Sequence, residues 1–484
     1  MRRFWLAGLL LLTTTGTAAA QTQRTDTITL SLQAALERAF SQSEEIRLAR
    51  NQVELADADV KGVRAGALPQ VNANVGYTKT FESQFASGGF EIPDSLRFEP
   101  DSTASILDRL RYIEQNADLA GLGGLGSLFG NLPFGQENAY TANVGLSQLL
   151  YSGGRTGAAL RAARAFREAA RFQLREQEAD VELSVRTAYY RAVFSQELER
   201  ISEAAVAQAE RFLEQERLRE KSGASAELDV LRAEVSVANL RPQLVAARNS
   251  AELATLDLKR LINVPAAQPL ALSTGLEVPS AEVLAAISDS LVDLSNRAAV
   301  EAAERQVRMR EMGVRIAKGA FLPDITFSTS YGRLGYPVDP FTFTGLTWRT
   351  DWVASLGVRI PIFDGLRRNA ELDRAQTNLN NAQLQLAQLR ENVQIQYQQA
   401  IGERRRAQET ITARQQTVTQ AQRVYDLMVL RYDRGLATQL DVSDARLALL
   451  QARTNLAQAL SDFYVAEATV TRALGGSAIT TGAR

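Results

Sequence analysis

Two glycine pairs fix the architecture more tightly than any other feature. Gly153 and Gly223 are 70 residues apart, and so are Gly365 and Gly435. Corresponding members of the two pairs are offset by 212 positions. The corners YSGGR (151–155) and FDGLR (363–367) open the two spans, placing Arg155 and Arg367 in register. The tips REKSGASAELDVLRA (219–233) and RYDRGLATQLDVSDA (431–445) close them. Both spans lack proline and are rich in Ala, Gln, Glu, Arg and Leu, all strong helix formers. At about 1.5 Å per residue, 70 helical residues reach on the order of 100 Å. A compact soluble domain rarely holds such a helix. The expectation is an internal two-fold repeat built on long helical hairpins.

Leu68-Pro69 and Leu322-Pro323 end the helical segments that precede each span, since proline lacks an N–H and biases its predecessor toward extended geometry. Alternation with period two follows each of them. Val71, Ala73, Val75, Tyr77 and Phe81 oppose Gln70, Asn72, Asn74, Gly76 and Thr78. The same holds at 139–151 (Tyr140, Ala142, Val144, Leu146, Leu150), 324–332 and 352–362. Ten-residue strands with one apolar and one small polar face suit a transmembrane β-barrel, although a soluble sandwich also alternates. Tyr77, Phe81, Tyr140, Tyr331, Trp348 and Trp352 gather toward the loop ends, as an interfacial aromatic girdle does. Four strands cannot close in lipid, where open edges leave backbone groups unpaired. Several copies must then share one barrel.

The resulting plan has a signal peptide at 1–20, with Arg2 and Arg3 before the apolar run Phe4–Leu12 and small residues Ala18–Ala20 before Gln21. A first repeat covers 21–263: helix 31–66 capped by Ser31, strands 69–82 and 139–152, an extracellular loop 83–138, a long helix 155–221 and a return helix 226–263 with a kink at Pro242. An equatorial linker spans 264–290. The second repeat, 291–474, holds helix 293–319, strands 323–336 and 350–363, long helix 366–433 and return helix 438–474; a disordered tail follows at 475–484. The Leu-Pro corners are 254 apart, so the first strand hairpin carries about 42 extra residues, among them GLGGLGSLFGNLPFG (121–135).

Composition narrows the chemistry. With no Cys and no His, the chain has no thiol or imidazole nucleophile and no Cys/His zinc site. A carboxylate-only metal site or glycosidase pair stays open on composition; no metal, cofactor or enzymatic role is expected. Net charge is −1, from 54 basic and 55 acidic residues, which offers no global field for nucleic acid.

The paired corners, equal spans and the tip RYDRGLATQLDVSDA together resemble the TolC family of outer membrane efflux proteins, over about 28–474. The resemblance implies a fold that is mainly α with membrane β-strands. In that fold three copies, four strands each, share a 12-stranded β-barrel continuous with a long-helix α-barrel. It also implies a passive exit duct in the outer membrane, partnered by a periplasmic adaptor (membrane fusion) protein and an inner-membrane RND, ABC or MFS-type pump. In the family the second hairpins close the periplasmic entrance, and the matching residues are Tyr432, Asp441 and Asp444. Ala437 stands where the family usually has arginine. Gly223, Ala224, Ser225, Gly435, Leu436 and Ala437 match the adaptor-contact tips. Drug or metal export and type I protein secretion share this duct. A periplasmic coiled-coil scaffold without a pore is the competing reading.

Asp441 also has a local explanation. Thr438 can cap the return helix, with Asp441 three residues on. Asp444, three further, shares its face, and its first-tip counterpart is Arg232.

Overall fold

A computed structural model describes residues 28–81, 100–118, 137–280, 294–337 and 348–476. The leader, the Gly/Leu/Phe run at 121–135, residues 281–290 of the linker and the tail from 477 lie outside the described residues. The chain divides into two compact units. One holds 1–53, 170–302 and 387–484; the other holds 54–169 and 303–386.

In order, the described elements are β1 (Ile28–Leu30), α1 (Leu32–Gln42), α2 (Glu44–Ala65), β2 (Gln70–Lys79), α3 (Ile106–Gln115), β3 (Asn138–Ser152), α4 (Arg155–Lys221) and α5 (Glu227–Leu261). Then come β4 (Leu270–Leu272), α6 (Ala298–Gly319), β5 (Asp324–Gly335), β6 (Trp348–Arg359), α7 (Arg367–Asp433) and α8 (Gln439–Ala473). The long helices α4 and α7 have 67 residues each, and the return helices α5 and α8 have 35 each.

The unit 54–169/303–386 carries a four-stranded sheet in the order β2-β3-β5-β6, with antiparallel neighbours. Residues paired across strands share a face, and the register sorts the sheet cleanly. Val71, Ala73, Val75 and Tyr77 pair with Leu146, Val144, Ala142 and Tyr140. Asn72, Asn74 and Gly76 pair with Gly145, Asn143 and Thr141 on the other side. Ser328, Ser330 and Gly332 extend that polar face, against Ser355, Val353 and Asp351. Ser328 and Ser355 bond at 2.7 Å, and Asn74 donates to Asn143 at 3.2 Å. Within this sheet β2 and β6 are outer strands, each with one edge unpaired. At the foot of β3 the turn is tight. Gly153 has φ +61, and a Cβ there would collide with the Gly319 carbonyl, so only glycine fits. Arg155 then pairs with Asp324. At the second corner it is Arg368, not Arg367, that does this work: it bonds Asp364 at 2.8 Å and the Pro361 carbonyl at 3.0 Å.

The other unit is a helical body with a small sheet. Leu36, Ile46, Val185, Tyr189, Leu258 and Ile262 form its main core. β1 and β4 pair in parallel beside it. Tyr189 joins them by donating to the Leu30 carbonyl and accepting from the Thr274 N–H, both at 3.1 Å. A charged brace crosses four segments. Glu176 of α4 takes Arg297 at 3.1 Å and Arg472 of α8 at 2.6 Å, and Arg297 also donates to Gln396 of α7.

Several boundaries differ from expectation for local reasons. The helix at 31–66 is two helices. Ser31 caps α1 as expected, but Ser43 leaves helical geometry at ψ 129, and Glu44 and Glu45 then open α2, where acids suit a helix N-terminus. α6 begins at Ala298 rather than 293, after a turn that sets Arg297 for its brace. β6 starts earlier and stops at Arg359 rather than 363, because Pro361 cannot donate to a ladder. α5 runs through Pro242 to Leu261. The region 83–138, expected as loop, contains α3, which Ser105 caps. The linker contributes β4.

Candidate functional site

Both hairpin tips end by the same backbone device. The N–H of Ala224 reaches the Arg219 carbonyl at 2.7 Å, and that of Gly223 reaches Glu220 at 2.8 Å. At the second tip Leu436 reaches Arg431 at 2.8 Å and Gly435 reaches Tyr432 at 2.9 Å. This paired closure needs a left-handed residue, supplied by Gly223 (φ +74) and Gly435 (φ +72). Gly223, Ala224, Gly435 and Leu436 are exposed, while Ser225 and Ala437 are half-buried.

The return helices start differently. Thr438 accepts from the Asp441 N–H at 3.3 Å, and the Thr438 N–H donates to the Asp441 carboxylate at 2.7 Å, a full capping box. These Thr438 bonds, backbone first, hold the Asp441 carboxyl below its usual range. The first return helix starts from Ala226, with no side-chain cap.

The two tips meet through a buried acid. Glu216 of α4 is fully buried. Its carboxylate accepts the Tyr432 hydroxyl at 2.8 Å and the Ser225 hydroxyl at 2.9 Å. Arg219 stands 3.8 Å from the same carboxylate, lies 4.9 Å over the Tyr432 ring and pairs with Asp433 at 2.7 Å. Phe212 flanks the ring at 5.8 Å. Burial, then the bond to Glu216, raises the Tyr432 hydroxyl to about 12. Of the sequence-derived set, Tyr432 thus faces α4. Asp444 instead lines a groove of about 640 Å³ between α5 and α8, with Leu231, Arg232, Leu440 and Arg446. Asp441 is exposed at the helix start. Glu216, Arg219 and Asp433 were not expected here. Glu216 carries a readable signal: it falls seven residues after Ala209, on the buried stripe of α4.

On the sheet, Tyr77, Tyr140 and Trp348 lie in one cross-strand row of the apolar face, and Tyr331 and Trp352 pair two rows away. Tyr77 and Tyr140 rings are 5.2 Å apart, and the Trp352 indole donates to Thr329 at 3.1 Å. Phe81 lies just past β2 and is exposed. Among the described residues no helix is long and apolar enough to cross a membrane, and no acidic cluster is arranged to hold a metal ion.

Long helical hairpins joined to a two-faced, open-edged sheet define a class of envelope channel subunits. The chain matches the outer membrane efflux protein family over residues 115–264 and 293–476, and it belongs to that family. Membership places it in the outer membrane of a Gram-negative bacterium. It is 26% identical over 264 residues to the solvent efflux pump outer membrane protein SrpC of Pseudomonas putida, an alignment covering 53% of each chain. It is 25% identical over 343 residues to the outer membrane efflux protein BepC of Brucella suis biovar 1, covering 69% of this chain and 72% of BepC. The match spans about half the length of SrpC and of the toluene efflux pump outer membrane protein TtgI of Pseudomonas putida. Its fold is that of the outer membrane protein VceC of Vibrio cholerae (19% identity, 92% of this chain and 96% of that one, TM-score 0.69). It is equally that of the Campylobacter jejuni CmeC outer membrane channel (16% identity, 92% and 85%, TM-score 0.72).

Proposed function

We propose that this protein is one third of a passive exit duct. Three copies share a 12-stranded barrel, each supplying β2, β3, β5 and β6. The hairpins of its two-fold repeat together form a helical tube in the periplasm. The observation that carries this reading is the sheet itself. It has an apolar face, a polar face and two unpaired edges, and such a sheet is tolerable in lipid only when further copies close it. The apolar face meets lipid, with Tyr77, Phe81, Tyr140, Tyr331, Trp348 and Trp352 at the interface. The polar face of Asn, Ser, Thr and Gly lines water.

Substrates reach the duct from an inner-membrane RND, ABC or MFS-type pump through a periplasmic adaptor that grips the tips at Gly223–Ser225 and Gly435–Ala437. Small residues there let a helical hairpin approach closely. Cargo, whether drug, metal, peptide or protein, is selected upstream. The duct itself performs no chemistry.

The periplasmic entrance is gated at the second tip. Tyr432, bonded to the buried Glu216, holds the second hairpin against the first. Asp441 and Asp444, three copies of each around an axis, form a narrow acidic ring that attracts cations. The test is recording in planar bilayers. Asp441→Asn with Asp444→Asn is expected to reduce cation preference and divalent block. Unchanged selectivity and block would remove the gate assignment while leaving the duct. A protein that extracts without detergent as a pore-free coiled coil would remove the duct.

A further inference from the structure

The groove between α5 and α8 is unusual for a surface exposed to water. Leu228, Leu231 and Val235 line one wall and Leu440 and Leu447 the other, all between 50% and 59% exposed. Arg446, only 8% exposed, forms part of the lining. Its guanidinium donates to the Ser236 hydroxyl at 2.5 Å, and among the described residues no carboxylate lies within ion-pair distance. Burial pulls its pKa down. A buried cation beside bare leucines is a half-built contact.

The complementary half is on α7. Val424, Leu427 and Leu430, spaced by three, form a second bare stripe, 45% to 49% exposed. Asp426 sits within this stripe and is exposed, accepting only from Gln422 four residues before it at 2.9 Å. The hairpin bond from Arg453 to Gln422 at 2.7 Å shows which residues of α7 and α8 lie level, namely those equally far from the middle of the turn. By that rule Arg431 is level with Asp444. Leu430 stands two residues from the level of Leu447, and Asp426 stands three residues, less than one turn, from the level of Arg446. In a ring whose axis runs along the helices, the same residue of every copy is at the same height. The match therefore carries from one copy to the next.

We infer that α7 of a neighbouring copy docks in the groove between α5 and α8, seating Leu430 and Leu427 among the leucines. Asp426 of that copy then supplies the carboxylate that Arg446 lacks. Each copy offers a groove and a stripe on different elements, so the contact is heterologous, and in a ring of copies each groove takes the stripe of the next. The inference rests on the proposed multi-copy duct and identifies which surfaces meet at its entrance.

The chain has no cysteine, which makes the test direct. Val235→Cys and Leu430→Cys are placed together in the full-length protein in its membrane. Treatment with a short bismaleimide is expected to give covalent dimers and trimers on denaturing gels, and neither single variant should. Arg446→Asp should cut the yield at least tenfold, and Asp426→Arg in the same chain should restore it. Native mass spectrometry of the untreated protein separates the two ideas. A three-copy mass without crosslinks, or crosslinks only to a different protein, overturns the docking and leaves the duct standing. A one-copy mass overturns the duct, and the docking with it.

Discussion

The two hairpin tips share backbone and differ in side chains, and the differences are complementary rather than random. Both close on a left-handed glycine with the same two hydrogen bonds. The first tip then supplies a buried acid, Glu216, and an arginine, Arg219; the second supplies Tyr432 and Asp433 to meet them. The second return helix is fully capped by Thr438, while the first starts from Ala226 without a side-chain cap. Two copies of the first tip cannot do this, because Glu220, which holds the place of Tyr432, would face Glu216. The two tips form a matched pair, with one acting as socket and the other as plug.

The comparison breaks most easily at the socket. Glu216→Ala leaves the Tyr432 and Ser225 hydroxyls without their acceptor and Arg219 without its buried partner. It should cost about 2 to 3 kcal/mol. The loss should be seen as faster hydrogen exchange in the last turns of α4 and α7, with the sheet unaffected. Removing the plug's hydroxyl is milder: Tyr432→Phe should cost about 1 kcal/mol, with the Phe212 contact kept, measured by the same exchange. The cap asymmetry can be tested from both sides. Thr438→Ala should loosen the start of α8 by about 1 kcal/mol, and Ala226→Ser should tighten α5 by a similar or smaller amount. Amide protection at 227–231 and 439–443 checks both.

Acidity should separate the tips as well. Asp441 titrates lower in the folded chain than in the unfolded one. Its capping contribution is therefore complete above the ordinary carboxylate value, near 3.9, and disappears as pH falls through the folded value. Tyr432 behaves in the opposite sense. Its raised value means the Tyr432–Glu216 bond is complete below about 10 and is lost as pH climbs toward about 12. Protection of the second tip measured from pH 3 to neutral should fall only at the acid end, and Asp441→Asn should remove that fall.

The sheet and the long helices were readable because their periods are strong. Strand pairs such as Val75 with Ala142 keep period two over their whole length, and proline-free spans of Ala, Gln and Glu leave few alternatives to helix. The break at Ser43 was not readable, since a serine between two good helical stretches interrupts no apolar stripe. Glu216 was hidden by its company. Glu214, Glu216 and Glu220 look alike in a polar helix; the face of Ala209 excludes Glu214 but admits both Glu216 and Glu220, and only Glu216 is buried. Arg155 and Arg367 match in register, yet Arg368 makes the corner bonds, because the second corner pairs with Asp364 in its own loop. Local chemistry decided what an alignment of copies did not.

The central claim is that three of these chains form one conducting path, closed at the periplasmic end by the matched tips. Single-channel recording of the purified protein in planar bilayers, beside its Glu216→Ala variant, tests it most directly. The claim predicts a small, cation-preferring conductance for the native chain and a several-fold larger one when the socket is removed. No conductance from either protein, or equal conductance from both, would contradict it.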